Sequence, residues 1–432
     1  MINISIMKEK LRDIRTSTSF GEVHTVTHNM VISKGPFSKI GDICEVGTQK
    51  ILCEVISIKQ NNVYLMPIRS LENISIKDRV YVKKDQVSIP SVNLLLGRTL
   101  NGVGEFIDQF DPLTKFPKKE VDLNRMPPDP LKRKRIKDSL PTGIKAIDSL
   151  LTIGEGQKIG IFAGTGVGKS TLLGMIAKEA KADINVIALI GERGREVREF
   201  MERELGEEGM KRSVVVVATS VEAPLMLIKA AQLATSIAEE FRDQGKKVMF
   251  MMDSVSRFAK AREEIDNAVG LPTIQGKTPS MESYMKKILE RSGMSEKGSI
   301  TGIYTVLVDG DDFNDAIPDM ARGILDGHIV LSRSLAHRNH YPAIDVLSSI
   351  SRVMQEVADD DHWDVAREVK KYFSIYLENE DDFKSGMYIP GQDRDVDMAR
   401  LLYPKIRTFL KQDIKEHVEF EETLLQMKGI FE

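Results

Sequence analysis

Residues 160–173, GIFAGTGVGKSTLL, have the composition of a loop that grips a phosphate. They depart from the pattern G-x-x-x-x-G-K-[ST] at one place, because Ala163 stands where the first glycine is expected. Backbone N–H groups of such a loop, together with the positive end of the helix that follows, can surround a phosphate. Lys169 would neutralise the β- and γ-phosphates of a nucleotide, and Ser170 would offer a hydroxyl to Mg²⁺. If position 163 ends a strand in an ordinary extended conformation, the alanine methyl costs little.

Two carboxylates could complete phosphoryl-transfer chemistry, which also needs a metal ligand and a group that orients water. Asp253 ends the apolar run KVMFMMD, where it can reach Mg²⁺ at the C-terminal edge of a sheet. A helix cap is the alternative interpretation of Asp253. Glu192 follows the run NVIALIG, and it could accept a hydrogen bond from an attacking water or serve as a cap or ion-pair partner. The residue types alone leave these alternatives open.

The elements that must position these residues follow from the alternation of strand-like and helical stretches. The strand-like runs are KIGIFAG, NVIALIG, SVVVVATS, KVMFMMD and ITGIYTVLVDG. Continuous apolar strands separated by helices predict a parallel sheet that is covered on both faces, and therefore an α/β fold. From about residue 22 to 90, short β-branched runs punctuated by Gly, Asn-Asn and Pro predict a small β-barrel. After about residue 358 the pattern becomes helical and charged.

The first fifteen residues predict an amphipathic helix. Ile4, Met7, Leu11 and Ile14 recur at spacings of three and four on an otherwise charged segment. Such a stripe must pack against another apolar surface. That surface can belong to the same chain or to a partner protein. A membrane surface is less favoured, because the polar face mixes both signs of charge.

Composition excludes several classes of partner. With 61 Lys+Arg against 64 Asp+Glu, the net charge of −3 offers no basic field for nucleic acid, and the basic cluster 132–135 lacks interleaved aromatics. Cys44 and Cys53 have neither metal spacing nor a disulfide framework, which favours buried reduced thiols over a redox pair. No apolar run approaches the ~18 residues of a membrane span, and the N-terminus lacks a signal-peptide core. A cytoplasmic location is therefore expected.

Seven stretches together resemble the flagellar and type III secretion export ATPases, which are relatives of the catalytic subunit of rotary ATP synthases. Within a match that runs in order from about residue 25 to 400, these stretches are FAGTGVGKSTLLGMIA, IGERGREVREF, MMDSVSRFAKAREE, ILERSG, GSITGIYTVLVDGDDFNDAI, ILDGHIVLSR and HYPAIDVLSSISR. The resemblance implies a RecA-like P-loop core with an N-terminal small β-barrel and a C-terminal helical domain. The implied divisions are an N-terminal segment 1–21, a barrel 22–92, an ATPase domain 93–358 and a helical domain 359–432.

The resemblance also implies roles for single residues in an ATPase that uses ATP and Mg²⁺. Lys169 and Ser170 hold phosphate and metal, Asp253 is the Walker B carboxylate, Glu192 positions or deprotonates the attacking water, and Arg193 helps to bind phosphate. The implied nucleotide-binding loop consists of Ala163, Gly164, Thr165, Gly166, Val167, Gly168, Lys169, Ser170 and Thr171.

Two further residues complete the implied site. Arg352 in SSISR matches an arginine finger that acts on the nucleotide of the neighbouring subunit, and such a finger is worth on the order of 10³ to 10⁵ in rate. Tyr341 in HYPAID matches the ring that stacks on adenine. From the residues alone, a surface charge and a core aromatic would be the ordinary interpretations. No role is assigned to Tyr388 or to the pair Lys277 and Thr278, where the sequence departs from the family pattern.

The resemblance implies a homohexamer at the cytoplasmic face of an export apparatus, peripheral to the inner membrane. Implied partners are a stator-like regulatory protein at the N-terminal segment, a central stalk protein in the ring pore, the export gate and complexes of substrate with chaperone. A catalytic subunit of a rotary ATP synthase or ATPase is the alternative within the same fold. A non-catalytic ring subunit is disfavoured by Glu192, and an RNA-translocating hexamer by the absence of dense basic and aromatic interleaving.

Overall fold

The computed structural model of the chain describes residues 19–83, 87–308, 310, 312, 313 and 315–432. The described residues divide into two compact units, of which the first comprises residues 19–83, 222–226 and 264–272 and the second the remainder. The amphipathic stripe that the sequence predicts in residues 1–15 lies outside the described residues. The four-part division of the chain given above stays a prediction.

The first unit contains a closed antiparallel barrel, which confirms the sequence prediction for this region. Its strands are β1 (Gly21–Val26), β2 (Val31–Lys34), β3 (Ile43–Val46), β4 (Ile51–Lys59), β5 (Asn62–Pro67) and β6 (Arg79–Lys83). They are hydrogen-bonded in the order β1-β2-β5-β4-β3-β6. Alternate residues point inward, so that Val23, Val31, Val46, Val55 and Leu65 form the barrel core.

Cys44 and Cys53 face each other across β3 and β4 and are free thiols within the barrel core. Burial raises the pKa of each thiol to about 12, with a further contribution from Asp42 at Cys44 and from Cys44 at Cys53. Because the thiolate is the reactive form, both side chains behave as small apolar residues at neutral pH. This agrees with the expectation of buried reduced thiols.

The second unit is built on a sheet that has nine strands in the described part of the chain. The remaining strands, including the separate pair β7 and β9, are β7 (Ser88–Ile89), β8 (Thr99–Asn101), β9 (Lys119–Glu120), β10 (Lys158–Ala163), β11 (Ile184–Glu192), β12 (Ser213–Thr219), β13 (Lys247–Asp253), β14 (Gly293–Met294), β15 (Ser299–Leu307), β16 (Gly327–Leu331) and β17 (Ile344–Ser351). The main order is β17-β16-β10-β15-β13-β11-β12-β8, and β14 pairs with β15. All neighbours are parallel except β17 with β16 and β14 with β15.

The central strands are apolar along their whole length because both faces of the sheet are covered. Every residue of β10 is buried, as are all residues of β15 except the last. The helices are α1 (Lys145–Leu150), α2 (Lys169–Glu179), α3 (Gly194–Glu199), α4 (Gly206–Lys211), α5 (Pro224–Asp243), α6 (Val255–Ala268), α7 (Met281–Leu289), α8 (Ala316–Ile324), α9 (Arg333–His337), α10 (Met354–Val357), α11 (Asp360–Glu378), α12 (Glu380–Ser385), α13 (Arg394–Phe409) and α14 (Phe420–Lys428). Short 3₁₀ and π segments span Val92–Leu95 and Phe200–Leu205. Among the described residues, no helix has the length and apolar character that crossing a membrane requires.

The helical region that follows β17 shares the core of the sheet. Val369 of α11 and Leu402, Ile406 and Phe409 of α13 are buried in the same apolar cluster as the strands β10 and β11. Burial of a large apolar side chain contributes about 1.5–3 kcal/mol. The C-terminal helices are therefore part of the second unit, and contacts between them and the sheet are contacts within one core.

Candidate active site

The phosphate loop begins where β10 ends. Ala163 is the last residue of β10, is buried, and pairs in register with Leu307 of β15 and Leu331 of β16. Its methyl group therefore occupies an extended strand position, where the freedom of a glycine is not required.

The loop then turns sharply into α2. Gly166 and Gly168 have φ angles of +77° and +90°, a region that favours glycine. Val167 between them is buried and fixes the loop to the core. Thr165 and Ser170 are exposed, so that backbone and hydroxyl groups at the start of α2 face solvent. The N-terminus of this eleven-residue helix carries partial positive charge directed at the loop.

Lys169 lies between the two predicted carboxylates. Its Nζ is 2.6 Å from Asp253 Oδ1 and 3.6 Å from Glu192 Oε1. All three side chains are nearly buried. The sheet brings them together because β10, β13 and β11 are parallel, and the residues that follow or end these strands share one edge. A helix cap does not account for this convergence, whereas the alternative of Glu192 as an ion-pair partner is compatible with its contact to Lys169.

A bulge directs Glu192 toward the loop. The pairing of β11 with β12 shifts register between Ile190 and Glu192, and Gly191 between them has φ +73°. A side chain at Gly191 would also meet Arg257, whose Cβ is 2.9 Å from the place of an added Cβ. Bulges of this kind redirect a side chain. The positive φ at position 191 is the reason that this bulge requires glycine.

The neighbouring charges shift the pKa values of Glu192 and Lys169. Burial and the charge of Asp253 together raise the pKa of Glu192 to about 7, against the opposing effect of Lys169. For Lys169 burial favours the neutral amine, but the negative charges of Asp253 and Glu192 outweigh burial and raise its pKa. Lys169 is therefore an ammonium at neutral pH, and Glu192 exchanges between carboxylic acid and carboxylate near neutral pH.

Thr305 is a functional residue that the sequence reasoning missed. Its Oγ1 donates a hydrogen bond to Asp253 Oδ1 at 2.6 Å from the buried interior of β15, the strand between β10 and β13. The hydroxyl fixes the carboxylate and leaves the second oxygen, Oδ2, for another ligand. A polar residue inside the apolar run ITGIYTVL was the available signal.

Two predicted residues have partners at the edge of the site. Thr171 Oγ1 donates to Glu204 Oε1 at 3.3 Å, which links α2 to the π segment. Arg193 is largely exposed, and its guanidinium donates to Glu196 Oε1 at 3.3 Å across the first turn of α3. An exposed ion pair of this kind is weak, so the Arg193 side chain can exchange Glu196 for an anionic ligand at little cost.

Tyr341 lies beside the phosphate loop. Its ring carbons Cε1 and Cδ1 are 3.7 and 3.8 Å from the place that a Cβ would take at Gly168. The side chain is 42% exposed, so one part of the ring is open to a ligand. The ordinary interpretation of Tyr341 as a core aromatic is therefore wrong.

Arg352 lies at the opposite edge of the sheet. Because β17 is antiparallel to β16, its first residue Ile344 pairs with Leu331 at the loop edge, whereas Ser351 pairs with Gly327 at the other end. The eight residues of β17 span roughly 23 Å at about 3.3 Å per residue. Arg352 is exposed there and donates from Nη1 to the Leu325 carbonyl at 3.2 Å. Within one chain it does not meet the phosphate loop.

The oxygen donors at the loop fit Mg²⁺. This ion keeps several waters and is usually held by one or two protein oxygens together with substrate phosphates. Ser170 offers an exposed hydroxyl and Asp253 a carboxylate at the same edge. In the described part of the chain, no group of three or more His, Cys, Asp or Glu side chains is placed to hold a metal by itself.

Comparisons with known proteins agree with this geometry. The nucleotide-binding domain of the ATP synthase alpha/beta family matches residues 143–351, and the C-terminal domain of the type III secretion ATPase EscN matches residues 358–429. The flagellum-specific ATP synthase of Bacillus subtilis strain 168 is 47% identical, over 95% of each chain. The assembled ATPase EscN from the enteropathogenic E. coli type III secretion system aligns with TM-score 0.91 and 42% identity, over 95% of this chain and 99% of that one. EscN in complex with its central stalk EscO aligns with TM-score 0.87 and 42% identity over the same shares.

These relatives share the phosphate-loop core and the C-terminal helical region over almost the whole chain. The chain belongs to the family of flagellar and type III secretion ATPases, a family of ATP-hydrolysing enzymes related to the ATP synthase alpha and beta subunits.

Proposed function

We propose that this chain hydrolyses ATP with Mg²⁺ to energise protein export through a flagellar or type III apparatus, as a homohexameric ring at its cytoplasmic face. The observation that carries the proposal is the convergence of Lys169, Asp253 and Glu192 beneath the phosphate loop. The C-terminal match to the EscN domain favours the export branch over a rotary synthase subunit.

Residues 163–171 and Tyr341 would bind the nucleotide. The loop N–H groups and Lys169 would hold the triphosphate, with Arg193 reaching it from the start of α3. A triphosphate in the loop would compete with Asp253 for the Lys169 ammonium, and Asp253 and Ser170 would then hold Mg²⁺. When bound, Mg²⁺ neutralises charge on the β- and γ-phosphate oxygens. Tyr341 would stack on adenine through its exposed face.

Glu192 would act on the attacking water. Its carboxylate would accept a hydrogen bond from the water and take up its proton as the water oxygen bonds to the γ-phosphorus and the bond to ADP breaks. A pKa near 7 suits this role, because the carboxylate is available at neutral pH and still basic enough to accept a proton.

Arg352 would serve the site of a neighbouring copy. Its place at the far edge of the sheet, and its exposure there, are what an arginine finger needs if rings assemble with this edge toward the next phosphate loop. The supporting comparison is the assembled state of EscN. Activity would then require the ring.

The proposed partners of the ring are those that the family resemblance implies, and one of them, the stalk, is supported by a relative. EscN has been solved with its central stalk, and a stalk protein in the pore of this ring is proposed by analogy. A stator-like regulatory protein would bind the N-terminal segment 1–21, and the export gate and complexes of substrate with chaperone would meet the ring at the inner membrane.

Glu192→Gln tests the proposed chemistry most simply. The variant should bind ATP with a dissociation constant within roughly threefold of the wild type, while turnover falls by about 10²- to 10⁴-fold. Glu202→Gln, a nearby exposed glutamate paired with Arg198, is the matched control and should keep full turnover. Binding is measured by calorimetry and turnover by phosphate release. Near-normal turnover of Glu192→Gln would remove Glu192 from the mechanism.

A further inference from the structure

One buried residue of the C-terminal region reaches Tyr341. Gln412, which lies between α13 and α14, donates a hydrogen bond from its backbone N–H to the Tyr341 carbonyl at 3.0 Å. Only about 5% of Gln412 is exposed. The residue beside the phosphate loop is therefore held by a residue from the helical region.

The Gln412 side chain is itself fixed at three points. Its Oε1 accepts the Lys145 N–H at 2.9 Å, and its Nε2 donates to the carbonyls of Gly143 and Glu416 at 2.8 and 3.0 Å. A buried amide with these bonds cannot rotate without leaving polar groups unpaired, which is costly. The backbone N–H that meets Tyr341 is thus held in one place.

The loop that anchors Gln412 is itself held by hydrogen bonds. Buried Asp148 accepts hydrogen bonds from the backbone N–H groups of Thr142 and Gly143 at 2.8 and 2.9 Å. Lys145 Nζ, at the start of α1, donates to Glu416 Oε1 at 2.8 Å. This bond joins α1 to the segment that carries Gln412. Tyr341 is connected through Gln412 to the segment around Gly143 and to the segment around Glu416.

We infer that Gln412 is a positioning residue for Tyr341, through which the C-terminal helical region sets the affinity of the site for the base of its nucleotide. The inference rests on the proposed function, because it needs Tyr341 to contact adenine. A residue that acts through the base contact changes the affinity for a nucleotide, but not the affinity for phosphates that lack a base.

The test compares two ligands on the full-length chain: ATP and inorganic tripolyphosphate. Gln412→Leu, which keeps the volume and removes the side-chain hydrogen bonds, should raise the dissociation constant and KM for ATP roughly tenfold. It should leave kcat within roughly twofold and tripolyphosphate binding unchanged. Glu416→Ala, which loosens the same segment at a partly exposed site, should shift ATP affinity in the same direction by less.

The matched control lies in the same region without touching Gln412. Glu419→Gln weakens the exposed pair between Lys181 and Glu419 and should change neither ligand's affinity. In a double-mutant cycle, Gln412→Leu should add nothing to the loss caused by Tyr341→Ala, since both remove one contact.

Several results would overturn the positioning role. They are an unchanged ATP affinity in folded Gln412→Leu, equal weakening of ATP and tripolyphosphate, full additivity with Tyr341→Ala, or no effect of Tyr341→Ala itself. If Gln412→Leu does not fold, an unchanged ATP affinity in Glu416→Ala overturns it instead. A wild-type chain that binds neither ligand would overturn the proposed function, and the inference with it.

Discussion

At the scale of single residues, the site depends on a shared balance of charge. Lys169 compensates two carboxylates in a place with little water, and Thr305 holds one of them. Burial and the charge of Asp253 favour the protonated form of Glu192, and Lys169 favours its carboxylate. The resulting pKa of Glu192 is about 7.

The raised pKa of Glu192 predicts the pH dependence of the reaction. Below about pH 7 the group is protonated and cannot accept a proton, so kcat/KM for ATP should fall as the pH falls and level off above neutrality. The ratio of wild-type to Glu192→Gln rates isolates this group, because the phosphates of ATP also titrate near neutral pH and affect both proteins alike. A ratio that stays constant down to about pH 5 would contradict the assignment.

At the scale of elements, the order of the strands places the chemistry. Long apolar runs made the parallel sheet predictable, and a carboxylate at the end of such a run pointed to Asp253 and Glu192. The strand order was not predictable, because no local pattern states that β15 lies between β10 and β13 or that β17 is antiparallel to β16. Contacts made across the fold were missed for the same reason.

Particular residues show which contacts could be predicted from the sequence and which could not. Thr305 meets Asp253 only because two strands 52 positions apart in sequence are neighbours, and Gln412 meets Gly143 across 269 positions. Ala163 shows the opposite case, since the strand-like run before it was enough to predict that its methyl group would be tolerated. Arg352 and Tyr341 were assigned to the site only through the family resemblance, and their roles stay predictions.

The burial of His340, in the segment after α9, predicts a second pH effect, on the free energy of unfolding. His340 is buried next to Tyr341, and burial together with the charges of Lys411 and Arg407 lowers its pKa to about 4. In the unfolded chain its pKa is about 6.5, so the unfolded state binds more protons between these values and stability falls as the pH drops from 6.5 toward 4. At pH 5 the loss should be about 2 kcal/mol.

Thermal unfolding of His340→Asn measures this contribution. The midpoint of the wild type should fall more between pH 7.5 and pH 5 than the midpoint of the variant, by several degrees, because the variant lacks the titrating group. All other groups titrate alike in both proteins, so the difference between the two falls belongs to His340. Parallel pH profiles would show that folding does not lower the pKa of His340.

At the scale of the whole molecule, the proposal is that the two ends of β17 divide the work between copies. Tyr341 precedes the strand at the phosphate-loop edge, and Arg352 follows it at the other edge, and the strand between them is roughly 23 Å long. One chain would then carry a site for the nucleotide and, at a distance, a cation for another site. A head-to-tail ring is the closed assembly in which every such cation meets a loop.

The most direct test of this division mixes two inactive proteins, Lys169→Ala and Arg352→Ala. Each variant alone should turn over ATP at least about 10³-fold more slowly than the wild type. In a one-to-one mixture about a quarter of the interfaces would join an intact Lys169 of one copy to an intact Arg352 of the next, and activity should return toward that fraction. A mixture that forms rings yet stays as inactive as its components would contradict a site shared between two copies.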